Sequence, residues 1–418
     1  MRGTSVRAAI PLGAMLLVAA PAVAEGLPSG TVQIVESVPE GTMFGQNGVP
    51  RTQAVWLDMI RGAHASIDIA AFYVTDKPGH ALAPVLDALI DRARAGIKVR
   101  LLLDGTFLHE SESSVQRLRG VPNLSIAVLP MSRLAGGVLH AKYMVVDGKE
   151  LFLGSQNFDW RALEQIHEIG VRIADERFAR TLLGGFELDW RLANDPVLPA
   201  AMKTANAAPD FRPATEEDPV MLRDPAGGPV IGFPALSPPM ADPNWVTAEE
   251  PALLHMIGAA RRVLRIQVMT LSALKGYGAK GWWSGLDSAL RDASARGVEV
   301  RIVVADWAMH EPMQSYLKSL AAMPNITVKI SSVPPSPSGF IPFARVEHCK
   351  YAVADDDSVY VGTGNWEWSY FNDTVDASAF LHGAGPASTL SAIFDRDWNG
   401  PYATRMALAG HYEAPRTR

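Results

Sequence analysis

At 418 residues the chain can form two ordinary domains or one large duplicated one, and with 48% hydrophobic and 20% charged residues its composition is that of a globular protein. Its 44 acidic residues outnumber 38 basic ones, and the net charge of −6 disfavours long-range, sequence-blind binding to duplex nucleic acid, though not a local cationic pocket for one phosphate. The single cysteine, Cys349, excludes an intramolecular disulfide, so stability must come from the core.

In chain order, Arg2 and Arg7 precede an apolar run over 14–20 that ends at Ala22-Val-Ala24. This pattern predicts a cleavable secretory leader over residues 1–24 and a product exported to the periplasm or the medium. The run is shorter than the roughly 20 residues a membrane span requires, and no other stretch is apolar enough to cross one. Beyond it, Thr31–Val35 reads as a strand, Val55–Ala63 as a helix, Ser66–Phe72 as a strand, Leu82–Ala95 as a helix and Lys98–Leu103 as a strand. Pro251–Ala260, Val263–Met269, Trp282–Arg296 and Glu299–Val304 repeat that alternation, which predicts an α/β fold of two repeats, each a mostly parallel sheet covered by helices. The expected boundaries are 25–205 for the first repeat, 206–244 for a linker with nine prolines, and 245–418 for the second repeat.

The two halves share a polar pattern. His140-Ala-Lys142 is followed by Asp147, and His348-Cys-Lys350 by Asp355. The register continues without a gap at a spacing of 208 residues: Gly154 with Gly362, Asn157 with Asn365, Trp160 with Trp368, and Asp189-Trp190 with Asp397-Trp398. A duplication that keeps its polar residues in place implies one two-fold site drawn from both halves. His140 and Lys142 share a face if their segment is extended, as do His348 and Lys350, and Cys349 then points away as a packed thiol. Asp147-Gly148 between apolar runs is a hairpin signal, so Asp147 and Asp355 are expected to support turns rather than to react. Glu168 and Asp376 occupy matching positions and could each accept an imidazole N–H, while Ser155 and Thr363 could bond to a phosphate or stabilise their turns.

Two histidines, two lysines and two asparagines suit phosphodiester hydrolysis. Ammonium and amide donors stabilise charge developing on the non-bridging oxygens. One imidazole attacks phosphorus, and the other protonates the leaving oxygen and then activates water. The pattern calls for no metal and no cofactor, since His-x-Lys offers a single ligand and no cluster has zinc spacing.

These residues resemble the phospholipase D superfamily, whose repeated HKD motif they reproduce twice. Longer strings, among them IVESVPEG, AHASIDIAAFY, GSQNFDWRALEQIHEIGV and IPFARVEHCKY, resemble one subfamily: the animal lysosomal or endosomal 5′-exonucleases and the poxvirus envelope phospholipase-like proteins. The resemblance implies a two-repeat α-β-α sandwich and a metal-independent phosphodiesterase with His140, Lys142, Asn157, His348, Lys350 and Asn365 at its active site. It further implies that His140 is the nucleophile and His348 the acid and base. The animal relatives are disulfide-bonded and membrane-tethered, and this chain departs from them in its lone cysteine and its leader.

Three functions follow as alternatives. The first is hydrolysis of single-stranded nucleic acid from a 5′ end, with Phe72, Tyr73, Trp282, Trp283, Phe340 and Phe343 as candidate base-stacking residues. The second is a phospholipase D or transphosphatidylase acting on phospholipid head groups. The third is a non-catalytic binding or envelope protein. A monomer or homodimer is compatible with the pattern, since one chain carries both motifs.

Overall fold

A computed structural model describes Met1 and residues 26–276 and 280–418, so the expected leader lies outside the described residues from position 2 onward. The first half runs through β1 (Thr31–Ser37), α1 (Thr52–Gly62), β2 (Ser66–Ala71), α2 (Leu82–Arg94), β3 (Lys98–Asp104) and β4 (Leu124–Leu129). A hairpin of β5 (Tyr143–Val146) and β6 (Glu150–Gly154) follows, then β7 (Glu168–Ala174) and α3 (Glu176–Asn194). The second half runs through β8 (Val220–Arg223), β9 (Pro229–Ser237), α4 (Glu249–Ala259), β10 (Val263–Val268), α5 (Ser284–Ala295), β11 (Glu299–Ala305) and β12 (Ile326–Ser331). It closes with the hairpin β13 (Lys350–Ala354) and β14 (Ser358–Gly362), then β15 (Asp376–His382) and α6 (Ala384–Asn399).

The strand order in the first sheet is β1-β7-β6-β5-β2-β3-β4. The second sheet follows the same plan as β9-β15-β14-β13-β10-β11-β12. Within these orders the β2–β3 and β3–β4 pairs and their counterparts are parallel and the other neighbours antiparallel, so each sheet is mixed rather than mostly parallel. The strand–helix alternation reports the parallel crossovers, whereas the hairpins fold back as antiparallel neighbours that this alternation does not register.

The stretch 206–244 is also more than a linker. β8 pairs with β1 and with β9, joining the two sheets, and β9 lies along β15 as β1 lies along β7. Ser237 opposite Asp376 repeats Ser37 opposite Glu168, so the second repeat begins inside the expected linker. Its prolines conceal this. Pro229 opens β9, and Pro234 falls between the residues paired by β8 and those at 235–236 that pair with Thr247 and Ala248. These are positions where a strand tolerates a missing N–H.

Apolar side chains complete the layers. Trp56, Val85 and Leu86 cover Ile67 and Ile69 on the outside of the first sheet, and Leu253, Leu286 and Leu290 cover Ile266 and Ile302 on the second. Between the sheets, Leu151, Leu153 and Val171 share one core with Val359, Val361 and Ala379 and with Phe186 and Phe394 of α3 and α6. α3 begins where the Asp175 side chain accepts a hydrogen bond from Phe178 N–H at 2.9 Å, and it then buries Phe178, Leu182, Phe186 and Leu192. Each fully buried Leu or Phe contributes about 1.5–3 kcal/mol, so the shared layer binds the repeats into one unit. Among the described residues no helix is long and apolar enough to cross a membrane.

Candidate active site

The site forms where each repeat's hairpin enters the central layer. His140 and Lys142 lie in the extended segment just before β5, and His348 lies just before β13, which Lys350 opens; the strands begin slightly later than the sequence suggests. Both segments are held by the opposite repeat. His140 N–H and Ala141 N–H donate to Val375 O at 2.9 and 2.8 Å, and His348 N–H donates to His167 O at 3.0 Å.

The acids cross over as well. His140 Nδ1 lies 3.0 Å from Asp376 Oδ1, and His348 Nδ1 lies 2.8 Å from Glu168 Oε2. Where the acid of a pair is ionised it can only accept, which puts the proton on Nδ1 and leaves the Nε2 lone pair toward the cavity. Each half-site therefore takes its histidine from one repeat and its acid from the other. Lys142 and Lys350 are completely buried; Lys142 Nζ donates to His140 O, and Lys350 Nζ donates to His348 O at 2.8 Å. The amide of Asn157 donates to Tyr73 Oη at 3.3 Å and that of Asn365 to Tyr370 Oη at 3.1 Å, while both amide oxygens lack a partner among the described residues.

Burial perturbs the paired histidines, lysines and acids here. It lowers His140 well below the usual histidine value, and the Lys142 and Lys350 charges push in the same direction. His348 is lowered by burial, by Lys350 and Lys142, and by His140. Burial lowers Lys350 to about 8 and Lys142 well below the usual lysine range, and it raises Asp376 to about 7 and Glu168 well above the usual carboxylate value. Burial thus favours the neutral forms of the imidazoles and the acids and weakens the cations. A bound phosphate anion supplies the charge that would restore the ammonium groups and permit one imidazolium.

The other expected residues take structural places. Asp147, at φ 54°, accepts from the N–H groups of His64, Ala65 and Ser66; Asp355, also at φ 54°, accepts from those of Arg261, Arg262 and Val263. Each pins the loop before β2 or β10, a wider role than holding its own turn. Ser155 Oγ bonds the backbone of Ile169, and Thr363 Oγ1 donates to Asp376 Oδ1 at 2.5 Å. Both hydroxyls are fully buried and are engaged with the acid Asp376 or with the acid-bearing strand. Gly154 is required by proximity, since a Cβ there would lie 2.5 Å from Gly170 Cα on the neighbouring strand.

A cavity of about 410 Å³ contains both histidines and both asparagines, walled by Phe72, Tyr73, Phe343 and Tyr370. It adjoins a wider cleft of about 1090 Å³ through Met269, Trp307, Asn365 and Tyr370; Trp282, Lys275, Lys280 and His310 line the far part of that cleft. Of the expected aromatics, Trp283 is instead buried in the second outer core, and Phe340 lies under the Arg416 guanidinium. Tyr370, Trp307 and Arg161 line the cavity without having been singled out from the sequence. Tyr370 aligns with Ala162 in the first repeat, so the duplication gives no signal for it. One group with metal-ligand chemistry, His167, Glu347 and Cys349, is assembled from distant segments that sequence spacing does not join, and it lies outside this cavity.

Residues 56–190 and 253–398 match the family model described as "Cardiolipin synthase, PLD-like domain". The chain is 34% identical over 397 residues to the Homo sapiens protein named 5'-3' exonuclease PLD3, spanning 88% of this chain and 79% of that one. It is 31% identical over 402 residues to Phospholipase D Z of Dictyostelium discoideum, spanning 90% of each. The crystal structure of phosphatidylserine synthase from Haemophilus influenzae Rd KW20 matches with a TM-score of 0.57 at 11% identity over 85% of both chains, a likeness of fold. The chain belongs to the phospholipase D superfamily. Within it the similarity is to the PLD3-like subfamily, and the class is that of a phosphodiesterase hydrolase.

Proposed function

We propose that this phosphodiesterase removes nucleotides from the 5′ end of single-stranded nucleic acid through a phosphohistidine, without a metal. The observation that carries the chemistry is the crossed pairing of two imidazoles with two acids around one cavity. His140 Nε2 forms a bond to phosphorus as the bond to the leaving oxygen breaks, and His348 gives that oxygen its proton. Water then attacks phosphorus, His348 takes the water's proton, and the P–N bond breaks to free His140. Lys142, Lys350, Asn157 and Asn365 stabilise the charge gathered on the non-bridging oxygens.

The substrate reading rests on the walls. Phe72, Tyr73 and Tyr370 offer ring faces beside the histidines, and the adjoining cleft adds Trp282, which is 47% exposed, together with Lys275 and Lys280. Ring faces and spaced cations suit a single strand better than a duplex. The relatives named 5'-3' exonuclease agree with this choice. The similarity to Phospholipase D Z favours a second reading, release of phospholipid head groups by the same chemistry. The residue pattern at 2–24 supports export by a cleaved leader, which N-terminal sequencing of the mature protein would check.

A 5′-hydroxyl single-stranded oligonucleotide incubated in EDTA should be shortened stepwise from that end, with slower release of choline from phosphatidylcholine vesicles. An intact oligonucleotide at every pH, with rapid choline release, would replace the first reading with the second.

A further inference from the structure

The two half-sites are backed by unlike residues. Across the pseudo-two-fold, Leu139 bridges Val375 behind one half-site, and the equivalent bridge behind the other joins Glu347 to His167. The strand register aligns Leu236 with Glu36, and the spacing of 208 aligns Leu188 with Arg396. Four apolar residues of the central core on the His140 side thus correspond to four polar ones on the His348 side.

The polar four bond to one another. His167 Nδ1 lies 2.9 Å from Glu347 Oε2, and its Nε2 lies 3.1 Å from Glu36 Oε1, which also accepts from Arg396 Nη2 at 3.0 Å. Both ring nitrogens of His167 meet carboxylates, so both carry protons and the ring is a buried cation. Asp397 lies 3.7 Å from the same ring, Arg51 pairs with Glu36, Phe44 stacks on the ring, and Cys349 Sγ lies 3.5 Å from Nδ1. Burying such a set costs desolvation energy that apolar residues avoid, and the opposite half-site demonstrates that four apolar residues fill the equivalent place. Core stability alone therefore does not account for the ionic set.

Its position offers an account. His167 precedes Glu168 and Glu347 precedes His348, so the network is covalently joined to both members of one catalytic pair. Lys142 and Lys350 act on both acids and cannot tell them apart, whereas the His167 charge acts on Glu168 and has no counterpart beside Asp376. Asp376 instead neighbours the buried Glu249, whose carboxyl is raised by burial to about 8 and which Ser237 and Tyr360 hold by hydrogen bonds. The groups facing His348 itself are Glu168, Lys350, Lys142 and His140.

We propose that Glu36, His167, Glu347 and Arg396 are positioning residues that make the two half-sites unequal, setting Glu168 against His348 with a cation behind it that Asp376 lacks, so that His348 serves as acid and base and His140 as nucleophile. This assignment rests on the phosphodiesterase reading above. Without the His167 cation, Glu168 binds its proton more readily, His348 becomes less basic, and any pH limb governed by His348 moves to lower pH.

The test gives the second half-site the residues of the first, with Glu36→Leu, His167→Val, Glu347→Leu and Arg396→Leu in one chain. A companion, His167→Val with Glu347→Leu, leaves Glu36 and Arg396 paired and decides the matter should the fourfold variant not fold by circular dichroism. Bis(p-nitrophenyl) phosphate is the probe, because it requires phosphodiester chemistry but no nucleic-acid contact. The expected results are a fall in kcat of about tenfold or more, a His348 limb moved down by about one pH unit, and acid-labile phosphate on both His140 and His348, where the native chain carries it on His140 alone. His167→Lys, which keeps a cation beside Glu347, should restore the native profile. A folded variant with native pH profile and single-site labelling would overturn the proposal while leaving the phosphodiesterase reading intact. A native chain inactive on this ester and on oligonucleotides would overturn both.

Discussion

The half-sites of His140 and His348 carry the same donors in the same geometry, yet a leucine–valine bridge backs one and a histidine–glutamate bridge backs the other. What the duplication preserves is the set proposed to touch the phosphate: imidazole, ammonium and amide. What it lets diverge lies behind and around them, and reactions that need opposite protonation states in matched residues have to draw that difference from their surroundings. Neither half-site is complete within its own repeat, since each imidazole is oriented by the other repeat's acid.

The largest effects should come from the histidines, and they should be unequal. His140→Ala is expected to lose about 10⁴-fold or more in kcat and all covalent labelling. His348→Ala should lose a similar factor on a poor leaving group but release one equivalent of p-nitrophenol in a burst from an activated ester, because attack survives and turnover does not. Equal burst behaviour in the two variants would break the assignment. Next, Glu168→Gln and Asp376→Asn should each lower kcat by about 10²–10³-fold with little change in KM, since each leaves its imidazole present but misdirected. Steady-state kinetics on both variants would sharpen the comparison by ranking the two acids.

Smaller effects fall on stability. Asp147→Ala and Asp355→Ala each strip three N–H groups of their acceptor and should cost about 1–3 kcal/mol, seen as a lower Tm with kcat nearly unchanged below it. A larger loss of kcat than of Tm would place these aspartates in the site. Asp376 gives a pH signature of its own. Burial raises it from 3.8 to about 7 in the folded chain, so between those values the native state keeps a proton that the unfolded chain has released. Stability should therefore fall as pH rises through this window, and Asp376→Asn should flatten the fall in urea titrations. An unchanged slope in the variant would contradict the burial argument.

The sequence reveals the proposed reacting residues because they are duplicated: His140 with His348, Lys142 with Lys350 and Asn157 with Asn365 stand out through repetition at constant spacing. Glu168 and Asp376 are visible for the same reason, but not their exchange between half-sites, which depends on how the two sheets meet. Strand–helix alternation exposes β2, α2, β3 and their counterparts. β8 and β9 are hidden among prolines, and their place is evident only from their pairing with β1 and β15. Tyr370, Trp307 and the Glu36–His167–Glu347–Arg396 network occur in one repeat only, so they reach their positions through tertiary contacts that no periodicity marks.

Both repeats are proposed to build one metal-independent site in which a single histidine is phosphorylated. Acid-sensitive phosphoenzyme can be trapped by rapid alkaline quench in the presence of EDTA and located by peptide mapping. Up to one phosphate per chain is expected, on His140 and absent from His140→Ala. Phosphate on a serine or threonine, or turnover lost to EDTA and regained with a divalent cation, would contradict it.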